Sequence, residues 1–150
     1  MKQSYFRLAI VSERLHRLFL EVVRQELNRL SVRDITSVQC LILYHLGIAG
    51  GKINIGEFSK RGYYLGANIS YNLAKIVKNG YFQQIPDPDD KRSSYVKLSK
   101  KGAKLYETLE ELFENHTKEL EISGWEDFQL HELNNSLSNV ENFLKGIKNV

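Results

Sequence analysis

Residues 58–102 read FSKRGYYLGANISYNLAKIVKNGYFQQIPDPDDKRSSYVKLSKKG, and the order of elements in this run decides the fold. From Ala67 to Asn79 the apolar positions Ile69, Leu73, Ile76 and Val77 recur at a helical period. Gly80 stands just beyond, where a helix end needs it. Upstream, Gly56 to Arg61 forms a short helix with Ile55 and Phe58 inward, and Gly62 through Gly66 makes a turn. Helix, glycine-bearing turn, helix is the helix-turn-helix signature. Downstream, residues 81–85 read as a strand ended by Pro86, and residues 87–92 as turn chemistry. Ser94 to Leu98 alternates as the returning strand, with Val96 and Leu98 inward. A helix with Asn, Ser, Tyr and Lys outward is therefore followed at once by a hairpin tipped with Lys91 and Arg92. That order suits a module that places one helix in a DNA groove with a charged loop beside it.

Working outward, residues 3–30 carry Leu8, Val11, Leu15, Leu18, Val22, Leu27 and Leu30 at helical spacings, with charged residues between them. Phe6, Ile10, Phe19, Leu20 and Val23 widen the stripe, so this helix has two sides to bury, one of them against a partner chain. Thr36 and Gln39 have capping-box spacing and open a nearly continuous apolar helix that stops near Gly47. Lys52 to Ile55 alternates briefly as a short strand, and Ser99 caps a helix that follows the hairpin. After a break at residues 123–126, with a second capping box, Leu130, Leu133, Leu137, Val140, Leu144 and Ile147 are spaced three, four, three, four, three. Such a coiled-coil-like seam on a terminal helix packs on another helix, and a second copy of the chain is the simplest partner.

The 150 residues are enough for a single domain with a real core, and the composition is that of a soluble globular protein. No apolar run approaches the roughly 20 residues a membrane span needs. The N-terminus reads as an amphipathic helix rather than a signal peptide. One cysteine excludes an internal disulfide framework, which makes a cytoplasmic location the expectation. The net charge of +3 conceals an asymmetry. Residues 52–104 hold 11 Lys and Arg against 4 Asp and Glu, whereas residues 105–150 hold 3 against 10. A positive middle beside a negative tail implies that the middle meets a polyanion.

The run from Asn68 to Gly102 resembles the second half of a MarR-type winged helix-turn-helix regulator. The resemblance rests on Gly80-Tyr81 at the end of the second helix, Asp90-Lys91-Arg92 at the hairpin tip, and Leu98-Ser99-Lys100-Lys101-Gly102 opening the next helix. The flanking helices fit the same pattern, so it covers essentially the whole chain. It implies a mainly α fold: a winged helix-turn-helix core at residues 34–102 with a small β-hairpin wing. Dimerisation helices at residues 1–30 and about 103–150 flank that core. It further implies a homodimer reading a pseudo-palindromic operator in double-stranded DNA, controlled by a small, often aromatic effector. Gly62, Tyr63, Tyr64 and Tyr71 depart from the usual pattern, which bears on the operator sequence and the docking angle.

Periodicity leaves Ala67, Asn68, Ser70, Tyr71, Asn72, Lys75 and Lys78 off the buried stripe. Asn can pair with adenine, Ser can reach a base edge or phosphate, and the Ala methyl can pack on thymine. Tyr71 can contact a phosphate or base edge, and Lys75 a phosphate. The plainer reading of each is a solvated helix face. Lys91 and Arg92 are the wing contacts, since Arg in a narrow minor groove gains from its focused negative potential. The family pattern makes Asp90 structural there, and Asp87 and Asp89 read as ordinary turn residues. Lys60, Arg61, Lys97 and Lys100 form a phosphate-facing rim.

Two further regulatory chemistries are weighed against this reading. Cys40 sits on an apolar helix and reads as a small buried hydrophobe rather than a redox sensor. His16, His45, His116 and His131 lack metal-ligand spacing, so neither a metal nor another cofactor is expected. No effector pocket can be located. A protein-interaction module of the same fold is the alternative from another class, and the charge asymmetry argues against it. No nucleophile–base pair or Gly-rich phosphate loop suggests an enzyme.

Overall fold

The computed structural model describes residues 1–60 and 67–148. The helix-turn-helix turn at residues 62–66 and Arg61 lie outside the described residues. The elements, in order, are α1 (Lys2–Arg29), α2 (Ser37–Ile48), β1 (Lys52–Asn54), α3 (Ile55–Lys60) and α4 (Ala67–Lys78). They continue with β2 (Phe82–Pro86), β3 (Ser94–Leu98), α5 (Lys100–Ile122) and α6 (Asp127–Lys148). The chain divides into two compact units, residues 1–107 and 108–150.

The core of the first unit forms around α2. Thr36 Oγ1 accepts from the Gln39 backbone N–H at 3.2 Å, and Gln39 Oε1 accepts from the Thr36 N–H at 3.1 Å. This reciprocal box satisfies two of the donors that a helix start leaves open. Cys40, Ile42, Leu43 and Leu46 then bury completely. Val23 and Leu27 from the end of α1, Phe58 from α3, and Ile69, Leu73 and Ile76 from α4 complete the core with them.

The wing is a three-stranded antiparallel sheet in the order β1-β3-β2. Phe82 pairs with Leu98, Gln84 with Val96 and Pro86 with Ser94, while Ile53 of β1 pairs with Val96 on the other side. Pro86 is thus the last paired residue of β2 rather than a stop placed after it. Val96, the middle residue of the central strand, is fully buried. Leu98 is half-buried, because the strand end runs out toward the α5 start.

Gly80 has φ +81°, and the Tyr81 and Gly80 N–H groups return to Ile76 and Val77 carbonyls, so α4 ends in a Schellman motif. Ser99 fastens the next helix to this corner. Its hydroxyl donates to the Gly80 carbonyl at 2.6 Å and accepts from the Gly102 N–H at 3.0 Å. A Cβ built on Gly102 would stand 2.1 Å from the Tyr81 carbonyl oxygen, so a hydrogen is all that fits there.

The second unit holds the rest of α5, a turn and α6. Gly124 has φ +88° in that turn. Ser123 does not cap α6 as its spacing to Glu126 suggested: its N–H and hydroxyl both donate to the Glu119 carbonyl at the end of α5, and the α6 start is held by Gln129 Oε1, which accepts from the Glu126 N–H at 2.9 Å. Along α6, Leu130 and Val140 are half-buried while Leu133, Leu137, Leu144 and Ile147 are exposed.

Candidate nucleic-acid interface

The buried stripe of α4 fixes what its other side can offer. With Ile69, Leu73 and Ile76 inward, Asn68, Tyr71, Lys75 and Lys78 share the outward face at roughly 100° per residue, while Ser70 sits on one flank and Asn72 on the other. Asn68 and Ser70 are exposed, and Tyr71 keeps 62% of its surface. The Lys75 ammonium lies 5.6 Å from the Tyr71 ring centroid, a cation–π pair that holds both side chains over the outer face. Ala67 opens the helix, and its side chain lies outside the described residues.

Asn72 is placed differently from its neighbours. Its Oδ1 accepts from Gln39 Nε2 at 3.2 Å, and its Nδ2 donates to the Asn68 carbonyl at 2.8 Å. Both ends of the amide are thereby engaged within the chain, and Asn72 works as a strut between α2 and α4. Periodicity could not reveal this. The Gln39 amide that completes the capping box also reaches across, and the two residues are 33 apart in sequence.

The wing tip is closed by its aspartates. Asp87 Oδ1 accepts from the Asp89 N–H at 2.9 Å, and the Asp87 N–H donates to the Ser93 carbonyl at 3.1 Å. Asp90 Oδ1 accepts from the Arg92 N–H at 2.9 Å and stands 3.6 Å from Arg92 Nε. Local side chain–backbone bonds of this kind are what make Asp a turn residue. They leave Lys91 and Arg92 projecting, with 94% of the Arg92 side chain exposed. Lys60 and Lys100 are exposed, and Lys97 lies on the outer face of the sheet opposite Lys52.

A cluster that the sequence reading did not single out fixes the far end of α4. Tyr81 Oη donates to Asp34 Oδ1 at 2.5 Å, Lys101 Nζ lies 2.5 Å from Asp34 Oδ2, and Asn79 Nδ2 donates to the Asp34 carbonyl at 2.6 Å. The Lys101 ammonium also sits 4.1 Å from the Tyr81 ring centroid. Partial burial works to raise the Asp34 pKa, but the Lys101 and Tyr81 hydrogen bonds outweigh it and hold the carboxyl below its ordinary value. Burial and the neighbouring Asp34 carboxylate push the Tyr81 phenol up. The four residues span 67 positions, and no short motif joins them.

Cys40 is fully buried, and burial alone pushes its thiol up to about 12, so at neutral pH it stays a thiol. Among the described residues, no group of three or more His, Cys, Asp or Glu side chains is arranged to hold a metal ion. No helix among them is long and apolar enough to cross a membrane.

Residues 35–102 match the family model for a winged helix DNA-binding domain. Over 117 residues the chain is 38% identical to ExpG of Rhizobium meliloti (strain 1021), an exopolysaccharide II synthesis transcriptional activator. That alignment takes in 78% of this chain and 59% of ExpG, so the chain spans about six-tenths of its curated relative. Among solved structures, a mutant MarR from E. coli complexed with operator DNA is similar over 91% of this chain and 95% of its own, with TM-score 0.71 and 22% identity. FabT of Streptococcus pneumoniae in complex with DNA is similar over 93% and 99%, with TM-score 0.63 and 21% identity.

Proposed function

We propose that this chain, a winged helix-turn-helix protein with the fold of MarR regulators, acts as a homodimeric, sequence-specific DNA-binding transcriptional regulator in the cytoplasm. The observation that carries the reading is the coincidence of fold and charge. The net charge of +7 over residues 52–104 falls on the segment that supplies α4 and the wing, while residues 105–150 carry −7. A basic surface around a groove-sized helix is what phosphate neutralisation requires.

In this reading α4 enters the major groove. Asn68 and Ser70, with Ala67 at the helix start, are placed to read base edges there, and Tyr71 and Lys75 to hold backbone or base. Arg92 and Lys91 reach the neighbouring minor groove, with Asp90 setting the Arg92 backbone. Asn72 keeps the spacing of α2 and α4 rather than touching DNA. Pairing of two chains through α1 and the helices after residue 103 is supported by the apolar side chains these helices leave uncovered, among them Phe6, Ile10, Leu18, Leu133 and Leu144. Paired modules suit half-sites about one helical turn apart, and an effector that changed their spacing would switch binding off. A small aromatic acid is the class of effector proposed.

An electrophoretic shift with the DNA upstream of its own gene, against a scrambled duplex and across a salt series, tests the reading. A preference for the upstream DNA that persists as salt rises is expected. Equal affinity for both duplexes at every salt removes sequence-specific regulation, and absence of any shift favours the protein-interaction module.

A further inference from the structure

Beside α4, on the flank that faces the start of α2, lies a cleft of about 250 Å³. Arg33, Asp34 and Thr36 line one side, and Tyr71, Lys75 and Asn79 the other. We propose that this cleft takes a backbone phosphate of bound DNA, with Arg33 as a phosphate-binding residue that the recognition helix and the wing do not supply. The proposal rests on the reading of the chain as a DNA-binding protein and extends its footprint to a third contact.

The cleft is built, not incidental. Gln39, 6% exposed, locks the α2 start through Thr36 and reaches over to Asn72 on α4, so the two walls are held at a set distance. The same bonds hold both side-chain amides to the frame and use Thr36 Oγ1 as an acceptor, which leaves its O–H as a donor. The charge offered to a ligand is cationic. Arg33 donates from one Nη to Asn28 Oδ1, and the other guanidinium N–H groups of its fork remain for an oxyanion. Lys75 stands across from it, against the Tyr71 ring. Asp34 is the one carboxylate in the lining, and its two oxygens turn to Lys101 and Tyr81, so its charge is matched on the wing side.

Position selects the ligand. A helix with side chains is about 10–12 Å across, and a B-DNA major groove is about 12 Å wide, so a helix seated in the groove has a phosphate ridge at its flank. The cleft occupies that flank, next to the exposed Tyr71. Its volume falls below the roughly 300–1,000 Å³ of sites that enclose drug-sized molecules, which favours a single phosphate group over an aromatic effector. A free anion shares the same chemistry, and the test separates the two.

The full chain is titrated by fluorescence anisotropy against a labelled random-sequence duplex, since a phosphate contact is independent of sequence. Salt is varied over a fourfold range. Arg33→Gln is expected to lower the slope of log affinity against log salt by about 0.9 per chain, so that the fourfold rise in salt costs it about 3.5-fold less affinity than wild type. Arg33→Lys, which keeps the charge, is expected to restore the slope, and Lys118→Gln, a charge removed outside residues 1–107, to leave it unchanged. An Arg33→Gln slope equal to wild type, with the thermal midpoint also unchanged, overturns the cleft while leaving the DNA reading intact. Inorganic phosphate is added separately and followed by amide chemical shifts. Saturable shifts at residues 33–39 and 71–79, combined with an unchanged Arg33→Gln slope, assign the cleft to a free anion and overturn the proposal. Failure of wild type to bind any duplex falls on the DNA reading itself and removes the cleft with it.

Discussion

Ile76, Phe82 and Val96 in the winged core are at most 2% exposed, whereas Leu133, Leu144 and Ile147 on α6 remain 45–54% exposed. Both sets follow helix or strand periods, and both are large apolar side chains. The difference lies in what meets them. The core residues find partners in α2, α4 and the sheet, while the α6 seam has no comparable cover among the described residues. Exposed apolar area gathered on one seam marks an interaction surface, and α1 up to Phe19 repeats the pattern with Phe6, Ile10, Leu18 and Phe19. Periodicity therefore states that a face is to be buried, without stating whether the burial is within a chain or between two.

The largest expected effect breaks that contrast on the α6 side. Leu137→Asp combined with Leu144→Asp places two charges on the seam and should weaken self-association at least hundredfold, about 2.7 kcal/mol. Sedimentation equilibrium would measure it, and the thermal transition of the winged core should persist. A wild-type chain that is already monomeric, or a variant that pairs as well as wild type, removes the pairing of these helices.

On the core side, Gly102→Ala forces a methyl group against the Tyr81 carbonyl and the Leu98 side chain. A loss of about 1–3 kcal/mol in denaturant unfolding is expected. No loss would mean that the α4–β2 corner yields easily, contrary to its dense bonding through Ser99.

Arg92→Ala tests the exposed tip of the same core. It should weaken DNA binding by about 1–3 kcal/mol at fixed salt while leaving the unfolding midpoint in place. Unchanged affinity would remove the wing from the interface.

The smallest effect belongs to Asp34→Asn. The native carboxyl is held below its ordinary value, so its contribution is present above the unfolded-state pKa and fades as pH falls through the folded one. Asp34 and Lys101 are each nearly half exposed, and the screened pair contributes about 0.2–1 kcal/mol. The variant should therefore be slightly less stable than wild type at neutral pH and indistinguishable from it in acid. A difference that grows toward acid would assign the cluster another role.

Much of this molecule was legible from local signals. The capping box at Thr36 and Gln39, the end of α4 at Gly80 and the turn chemistry of residues 87–92 are short-range devices, and each stands where its residues place it. The wing strands follow from alternation, with Pro86 retained inside the pairing because it is the last residue of its strand. What pattern could not supply was the second use of a side chain. Gln39 both caps α2 and holds Asn72, so that Asn72 braces α4 against α2. Asp34 gathers Tyr81, Asn79 and Lys101 across long separations, and Arg33 meets Lys75 across a cleft that exists after folding. Such contacts depend on tertiary proximity, and a sequence period carries no record of it.

In the proposed function, two of these basic winged modules grip one duplex together. Iterative selection of binding sites from random duplexes, followed by sedimentation of the chain with a selected duplex, tests it most directly. The expected result is enrichment of inverted repeats with half-site centres about 10–10.5 base pairs apart, and two chains on each duplex. Selection that enriches no sequence, or a selected duplex that carries one chain, would contradict it.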